Sequence, residues 1–465
     1  GTMFLVPIFT AVACKEYSVI LPFAIPMVAS WIVFLAMNLP FLHKKFKLNT
    51  RSTFMAVALS WIAACFFGTI PLYASGAIPN YVDAFFESAS GFSTTGATIV
   101  TDIEALPRSI NLWRCMTHWL GGMGIVALTV ALLPLLGVGG FQLIKAETTG
   151  PEKGKITPKI ATTAKYLWIM YMIFTVVETI LLRIFGMDFI DALSHSFATL
   201  GTGGFSTRNA SIGSYDSIGI EIVVIIFMFL GGVNFSMYYY ALTRKFRDIR
   251  DNSELKVYLI MIVSFIVAVT LATLGYYKDF GKALRFSSFQ VVSIMTTTGF
   301  GTCDYTQWPS IAQFLIFVLF FTGACSGSTS GGIKIIRWVV LGKMVKNETK
   351  ILLHPQGVFS IRLNNSAIRK EVISSVTAFM LSYLALVLIN TALGCIGGLD
   401  MLSAFTGAAS MVGNVGPAFG KLGPSNNYAF LPGFLKWCYC FAMLAGRLEL
   451  YTMLIFFVPE YWRNR

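Results

Sequence analysis

Residues 296–301 read Thr296-Thr297-Thr298-Gly299-Phe300-Gly301, an uncharged, glycine-containing break inside a very hydrophobic chain. Three other stretches share its character: Thr94-Thr95-Gly96-Ala97, Thr202-Gly203-Gly204-Phe205 and Asn414-Val415-Gly416-Pro417. Each follows a short half-apolar segment and cannot continue a helix, so its backbone carbonyls must face something polar. In a bilayer that is either buried protein or a water-filled passage. The four breaks are therefore expected to line one ion pathway.

The surrounding composition fixes the medium. Of 465 residues, 55% are hydrophobic and only 12% charged, where a soluble chain carries about 25% charge. Forty phenylalanines and a mean hydropathy of +0.70 place the chain among polytopic membrane proteins. The first ten residues are apolar with no basic lead-in, so no cleavable signal peptide is expected and the end reads as clipped. Eight cysteines are scattered without a C-x-x-C pair, and most sit in apolar runs as small hydrophobes. No metal or disulfide framework is expected.

The net charge of +13 does not point to nucleic acid, because of where it lies. The connections 43–51, 137–165, 244–256 and 334–370, with the tail, hold 24 of the 35 Lys and Arg. The alternating connections 74–111, 187–217, 277–308 and 396–429 hold six bases against ten acids. Basic connections stay cytoplasmic, so the breaks open to the outside, where the acid excess would favour cations at an entrance.

The breaks recur 108, 95 and 117 residues apart, measured between Gly96, Gly204, Gly299 and Gly416. Twelve residues before each glycine stand Ala84, Ala192, Ser287 and Ala404; six before stand Ser90, Ala198, Ser293 and Ser410. Small residues at matching places suit short helices packed closely among others. A long span precedes each short segment and a second follows each break, the latter at 111–136, 216–243, 308–344 and 430–458. The expected fold is an all-α polytopic membrane protein of four pseudo-symmetric M1–P-loop–M2 repeats around one central pore, plus two N-terminal transmembrane helices. Its parts are 1–50 (helix pair), 51–140, 141–250, 251–350 and 351–465.

Rings of backbone carbonyls hold a dehydrated monovalent cation without fixed charge. Glycine permits the backbone angles that this requires. Short helices entering from outside also point their partially negative C-terminal ends at the membrane centre, which favours a cation over an anion.

The sequence resembles the Trk/Ktr/HKT superfamily of potassium transporters, most closely the bacterial Trk-type membrane subunit, over essentially its whole length. The residues that carry the resemblance are the four breaks together with His118-Trp-Leu-Gly-Gly-Met-Gly, Leu230-Gly-Gly-Val-Asn-Phe and Thr322-Gly-Ala-Cys-Ser-Gly-Ser-Thr-Ser-Gly-Gly-Ile-Lys. The resemblance implies a K+ selectivity filter with one glycine per repeat. Its residues would be Thr94, Thr95 and Gly96; Thr202, Gly203 and Gly204; Thr297, Thr298 and Gly299; and Asn414, Val415 and Gly416. Four glycines resemble the potassium-selective members. In the second filter Gly204 precedes Phe205 as Gly299 precedes Phe300, whereas Gly201 fits the Phe-x-Thr-x-Gly frame of Phe92 to Gly96.

The span at 308–344 would be on the order of 55 Å long as a helix, against a bilayer core of about 30 Å. Residues 323–332 interrupt it with Gly323, Cys325, Ser326, Gly327, Ser328, Thr329, Ser330, Gly331 and Gly332, and no Walker spacing is present. This reads as a flexible intramembrane loop, and the resemblance implies a gate there. Arg447 lies in the last span, where a charge is costly and by default functional; the resemblance implies a barrier in the pore beneath the filter. Glu178, Glu221, Arg114 and His118 are expected to serve packing or interfaces. No nucleotide motif or nucleophile–base set suggests an enzyme. The resemblance further implies a homodimer in the bacterial cytoplasmic membrane, bound to a cytosolic nucleotide-binding (RCK-type) regulatory ring, with 137–165 and 334–370 as docking surfaces. A Na+- or H+-coupled secondary transporter is the alternative.

Overall fold

The computed structural model describes residues 1–39, 50–131, 160–357, 359–364, 366–368 and 370–463. The basic stretch 43–49 and most of 137–165 lie outside the described residues. Four long helices, Thr50–Ala74, Ile160–Ile184, Ser253–Tyr277 and Lys370–Ile396, each lead into a short one: Tyr81–Phe92, Phe189–Leu200, Phe280–Met295 and Met401–Gly413. The return helices begin at Arg108–Ala131, Ile218–Gly232, Ser310–Leu319 and Gly433–Arg447. The strands among the described residues are a two-residue antiparallel pair, Arg362–Leu363 with Ser366–Ala367.

Five described helical stretches are long and apolar enough to cross a membrane: Tyr17–Met37, Phe54–Ala74, Lys165–Ile184, Ser253–Tyr277 and Lys370–Ile396. Their faces are distributed as lipid demands. On Ser253–Tyr277, the exposed stripe is Ile260, Val263, Val267 and Leu271, while Thr270 and Thr273 are buried. On Lys370–Ile396, Leu381, Leu384 and Leu388 are exposed, and Asn390 and Thr391 buried. A water-soluble helix bundle would invert this arrangement.

Each short helix starts at an Asn or Asp whose side chain caps the first turn. Asn80 accepts from Val82 N (2.9 Å), Asp188 from Ile190 N (3.3 Å), Asp279 from Lys282 N (3.1 Å) and Asp400 from Ser403 N (3.1 Å). Such a cap satisfies one otherwise orphaned amide. Three caps lie 16 residues before Gly96, Gly204 and Gly416, and the fourth 20 before Gly299. The third short helix is correspondingly longer, 16 residues against 12, 12 and 13.

The second and fourth return helices are broken where continuous spans are expected, and the third is interrupted more widely than expected. The second breaks after Gly232 and bends by 93° into Phe235–Leu242. The third breaks between Leu319 and Ile335, a longer interruption than residues 323–332. The fourth ends at Arg447, with Glu449 and Leu450 in the left-handed region (φ 63° and 56°) before Tyr451–Leu454. Beyond the third break, Ile336 and Val340 of the helix Ile335–Leu353 pack with Ile361, Leu363 and Ile368 of the hairpin and with Val372 and Val376 of the fourth long helix. This separate apolar cluster lies on the basic side of the molecule.

Candidate ion pathway

All four short helices end in the same motif. Thr94, Thr202, Thr297 and Asn414 sit two residues before the glycines, in the left-handed region at φ 55°, 54°, 56° and 54°. The next amide in each turns back to the residue six before the glycine. Thr95 N donates to Ser90 O (2.9 Å), Gly203 N to Ala198 O (2.9 Å), Thr298 N to Ser293 O (2.8 Å) and Val415 N to Ser410 O (3.0 Å). With the companion bonds Thr94 N→Gly91 O, Thr202 N→Thr199 O, Thr297 N→Ile294 O and Asn414 N→Met411 O, each end is a complete Schellman cap. The small-residue column six before the glycine marks the carbonyls on which the four breaks turn.

The glycines follow at φ 79°, 79°, 82° and 97° for Gly96, Gly204, Gly299 and Gly416. These angles place Gly204, rather than Gly201, in register with the other three. A β-carbon on Gly96 would overlap the Gly203 carbonyl oxygen; on Gly204, that of Thr298; on Gly299, that of Val415; and on Gly416, that of Thr95. Each glycine thus abuts the carbonyl that precedes the glycine of the next unit, and the fourth closes on the first. The breaks surround one axis in chain order. Three of the glycines are half-buried and Gly416 is buried. The Gly416 carbonyl also accepts from the Tyr428 hydroxyl (2.7 Å), a bond without counterpart at the other three among the described residues.

Behind the ring, polar side chains differ from unit to unit. Glu87, fully buried, accepts from Ile99 N (2.9 Å), Thr98 Oγ1 (2.9 Å) and Arg114 Nε (2.8 Å). Arg114 lies over the Phe205 ring at 4.4 Å and so joins the first break to the second. His118 Nδ1 is 2.8 Å from Gly91 O, and its Nε2 accepts from Phe205 N at 3.2 Å. Ser293 Oγ donates to Phe300 O (2.7 Å), and Thr406 Oγ1 accepts from Phe419 N (3.1 Å). Arg114 and His118 are therefore packing groups of the ring, in line with the sequence expectation.

The outer acids are largely used as ties between units. Arg108 pairs with Asp188 (3.2 Å), Arg208 with Asp191 (3.1 Å) and Glu104 (3.7 Å), Arg285 with Glu221 (2.7 Å), and Lys436 with Asp83 (2.5 Å). The last of these closes the fourth unit onto the first, as Gly416 does. Six of the ten acids counted in the outer connections, Asp83, Glu87, Glu104, Asp188, Asp191 and Asp216, are thus ion-paired. At the outer edge the Asn209 amide, hydrogen bonded to Asp102, holds that carboxyl below its ordinary value.

Under the ring lies the interrupted stretch of the third return helix. Its feet pair like a short ladder, Gly323 N→Ile333 O (2.8 Å) and Ile335 N→Ala324 O (3.2 Å). Its tip fills the break of the second return helix: Cys325 N donates to Gly232 O (3.0 Å), Thr329 N to Gly231 O (3.2 Å), and Phe235 N to Gly327 O (3.1 Å). It also hangs from the left-handed residues of the ring. Thr202 Oγ1 donates to Thr329 O (2.8 Å), and Gly331 N to Thr297 Oγ1 (2.7 Å). Arg447 Nη1 donates to the same Thr329 carbonyl (2.8 Å). The loop residues and Arg447 named from the sequence are therefore gathered directly below the ring.

Sequence reasoning missed several members of this assembly. Glu449 pairs with Arg337, whose guanidinium lies 3.8 Å over the Phe379 ring. Lys334, buried, donates to Ser330 O. Glu254 accepts from loop amides (below), and Tyr428 reaches Gly416 O. None of these pairs is local in sequence except Lys334 with Ser330. The caps went unread too, although an Asn or Asp before each short apolar segment is a signal that could have found them.

A family model described as "Cation transport protein" (TrkH) matches residues 23–464. The "Trk system potassium uptake protein TrkH" of Halomonas elongata is 39% identical over 437 residues, 92% of this chain and 89% of that protein. Its Escherichia coli K12 namesake is 40% identical over 429 residues, 90% and 88% of the two chains. The crystal structure of the potassium transporter TrkH from Vibrio parahaemolyticus superposes with a TM-score of 0.90 at 32% identity, covering 99% of this chain and 96% of that one. With its ring of four Schellman-capped breaks and its apolar outer faces, this multi-pass membrane protein belongs to the TrkH family of cation transport proteins.

Proposed function

We propose that the chain takes up potassium across the bacterial cytoplasmic membrane through the ring of breaks. The observation that carries this reading is the closed succession of Gly96, Gly204, Gly299 and Gly416, each packed on the carbonyl of the next unit. Such a ring supplies oxygen ligands without fixed charge, at the C-terminal ends of four helices, and so favours a dehydrated monovalent cation. The names of the relatives, potassium uptake proteins, agree with it.

In this reading Thr94–Gly96, Thr202–Gly204, Thr297–Gly299 and Asn414–Gly416 form the filter of units 51–140, 141–250, 251–350 and 351–465. The stretch 320–334 and Arg447 form the gate. The chain acts as the membrane subunit of a Trk system, as a homodimer on a cytosolic nucleotide-binding ring. The docking face lies on 137–165 and 334–370, and the basic helix Ile335–Leu353, with Lys343, Lys346 and Lys350, is a described part of it.

The test is cation flux in proteoliposomes with K+, Na+ and a pH gradient. Potassium flux that exceeds sodium flux and runs without either gradient supports a selective pore. Failure to pass potassium would sink the reading. Glu178 keeps a coupled mechanism in view, because it is buried in the second long helix and makes no ion pair among the described residues. Flux that follows the proton or sodium gradient would favour that second reading.

A further inference from the structure

We infer that Glu254 is the positioning residue that ties the tip of the 320–334 stretch to the helix that follows it, and so holds the neck between them. This rests on the reading of that stretch as the gate. Glu254 stands in the first turn of Ser253–Tyr277, where an acid ordinarily does no more than face solvent and the helix dipole. Here Asn252 already caps the turn, accepting from Leu255 N (2.8 Å). The Glu254 side chain is instead 2% exposed and directed at another element. Its Oε1 accepts from Ser326 N at 2.6 Å and from Ile336 N at 3.2 Å.

Those two amides lie ten residues apart on either side of the ladder formed by Gly323–Ala324 and Ile333–Ile335, Ser326 on its tip side and Ile336 in the helix beyond it. One carboxylate oxygen thus brackets the neck. Ile336 N belongs to the first turn of the helix Ile335–Leu353, so the same contact fixes that helix to the third long helix. Ser253 N, the neighbouring amide, donates to Asn364 Oδ1 of the hairpin (2.9 Å), and Lys343 Nζ donates to Arg362 O (2.6 Å). Glu254 is therefore the point at which the basic-side hairpin, the helix behind the loop and the loop itself meet. Lys334, Arg337 and Arg447 surround the neck with positive charge, answered by Glu254 and Glu449. Removing Glu254 releases the Ser326 and Ile336 amides, leaves the neck to its two ladder bonds and leaves the positive groups in excess.

The experiment uses the full chain in proteoliposomes, with Glu254→Ala, Glu254→Gln, a variant shortened within 325–331, and the shortened variant carrying Glu254→Ala. Potassium flux is one readout. The other is labelling of Cys325 by a small polar maleimide, with the other seven cysteines replaced. Cys325 is buried at the neck in this structure.

Loss of two charge-assisted hydrogen bonds should raise flux and labelling by about tenfold in Glu254→Ala. Glu254→Gln, which keeps an acceptor oxygen without the charge, should lie between that variant and the parent. In the shortened chain Glu254→Ala should add nothing, a non-additivity that a general folding role would not produce. Parental flux with Cys325 still protected in a folded Glu254→Ala variant overturns the assignment. If that variant does not fold, Glu254→Gln decides, and unchanged Cys325 labelling overturns it. Should shortening itself leave flux unchanged, the gating reading fails, while Cys325 labelling still reports separately whether Glu254 holds the neck.

Discussion

Arg447 Nη1 donates to the carbonyl oxygen of Thr329 at 2.8 Å, and it does so from the last residue of a helix that stops there. The other two guanidinium nitrogens, Nε and Nη2, are buried with no hydrogen-bond partner among the described residues. A buried guanidinium so poorly paired is costly. Glu449, two residues on, attracts it but makes no hydrogen bond to it among the described residues, its carboxylate being paired with Arg337. The cation therefore remains under the ring, where it repels an arriving ion and fastens the loop tip. Arg447→Ala should raise potassium flux several-fold, and Arg447→Lys should retain most of the block by keeping the charge. Unchanged flux in a folded Arg447→Ala protein would assign the residue to packing alone.

The loop should yield to the same assay. Its tip is held by Gly231, Gly232, Thr202 and Arg447, so shortening within 325–331 removes the plug and its main contact with Arg447 together. Flux should rise, and Arg447→Ala in the shortened chain should add less than it does in the parent. Full additivity of the two changes would show that they act on separate barriers.

Gly204 offers a test of the ring that distinguishes overlap from backbone strain. At φ 79°, an alanine pays about 1–2 kcal/mol for the left-handed conformation. Its β-carbon would also overlap the Thr298 carbonyl and push that oxygen aside. Gly76 has a similar φ of 75° and nothing within 4 Å of the position a β-carbon would take. Gly204→Ala should cut potassium flux and lower the preference for potassium over sodium, while Gly76→Ala should change neither. Equal effects of the two substitutions would mean that strain, not the ring, is being measured.

What the sequence made legible were features that impose a residue type. A left-handed backbone packed on a neighbour's carbonyl favours glycine, so three of the four ring positions, Gly96, Gly299 and Gly416, could be read directly. Close helix packing admits only small residues, so the columns at Ala84 and Ser90 and their counterparts were visible as well. The second filter was ambiguous because Gly201 and Gly203 are also required, each packed on His118, and only the backbone angle separates them from Gly204. The breaks in the second and fourth return helices escaped for different reasons. The second carries a signal, Gly231-Gly232-Val233-Asn234, in which Asn234 caps Ser236 N (2.9 Å), but an apolar run concealed it. The fourth, Arg447-Leu448-Glu449-Leu450, has no glycine or proline and is shaped by the pairing of Glu449 with an arginine 112 residues away.

The Glu87–Arg114 pair carries the last prediction. Both side chains are fully buried, with Nη2 and Oε1 2.6 Å apart. Glu87 also holds Ile99 N and Thr98 Oγ1 of the first break, and Arg114 also donates to Asn111 Oδ1 (3.0 Å) and lies over Phe205 just after Gly204. Removing one partner strands a buried charge, which costs about 3–5 kcal/mol. Arg114→Met should therefore lower the thermal midpoint sharply, leaving Glu87 uncompensated. Glu87→Gln with Arg114→Met leaves no charge behind and should recover part of that loss. Because the side-chain amide oxygen introduced by Glu87→Gln can still accept from Ile99 N, the double variant should keep potassium selectivity better than Arg114→Met alone. A double variant no more stable than the single one would mean that the pair's value lies in Arg114's contacts with Asn111 and Phe205, and not in its charge.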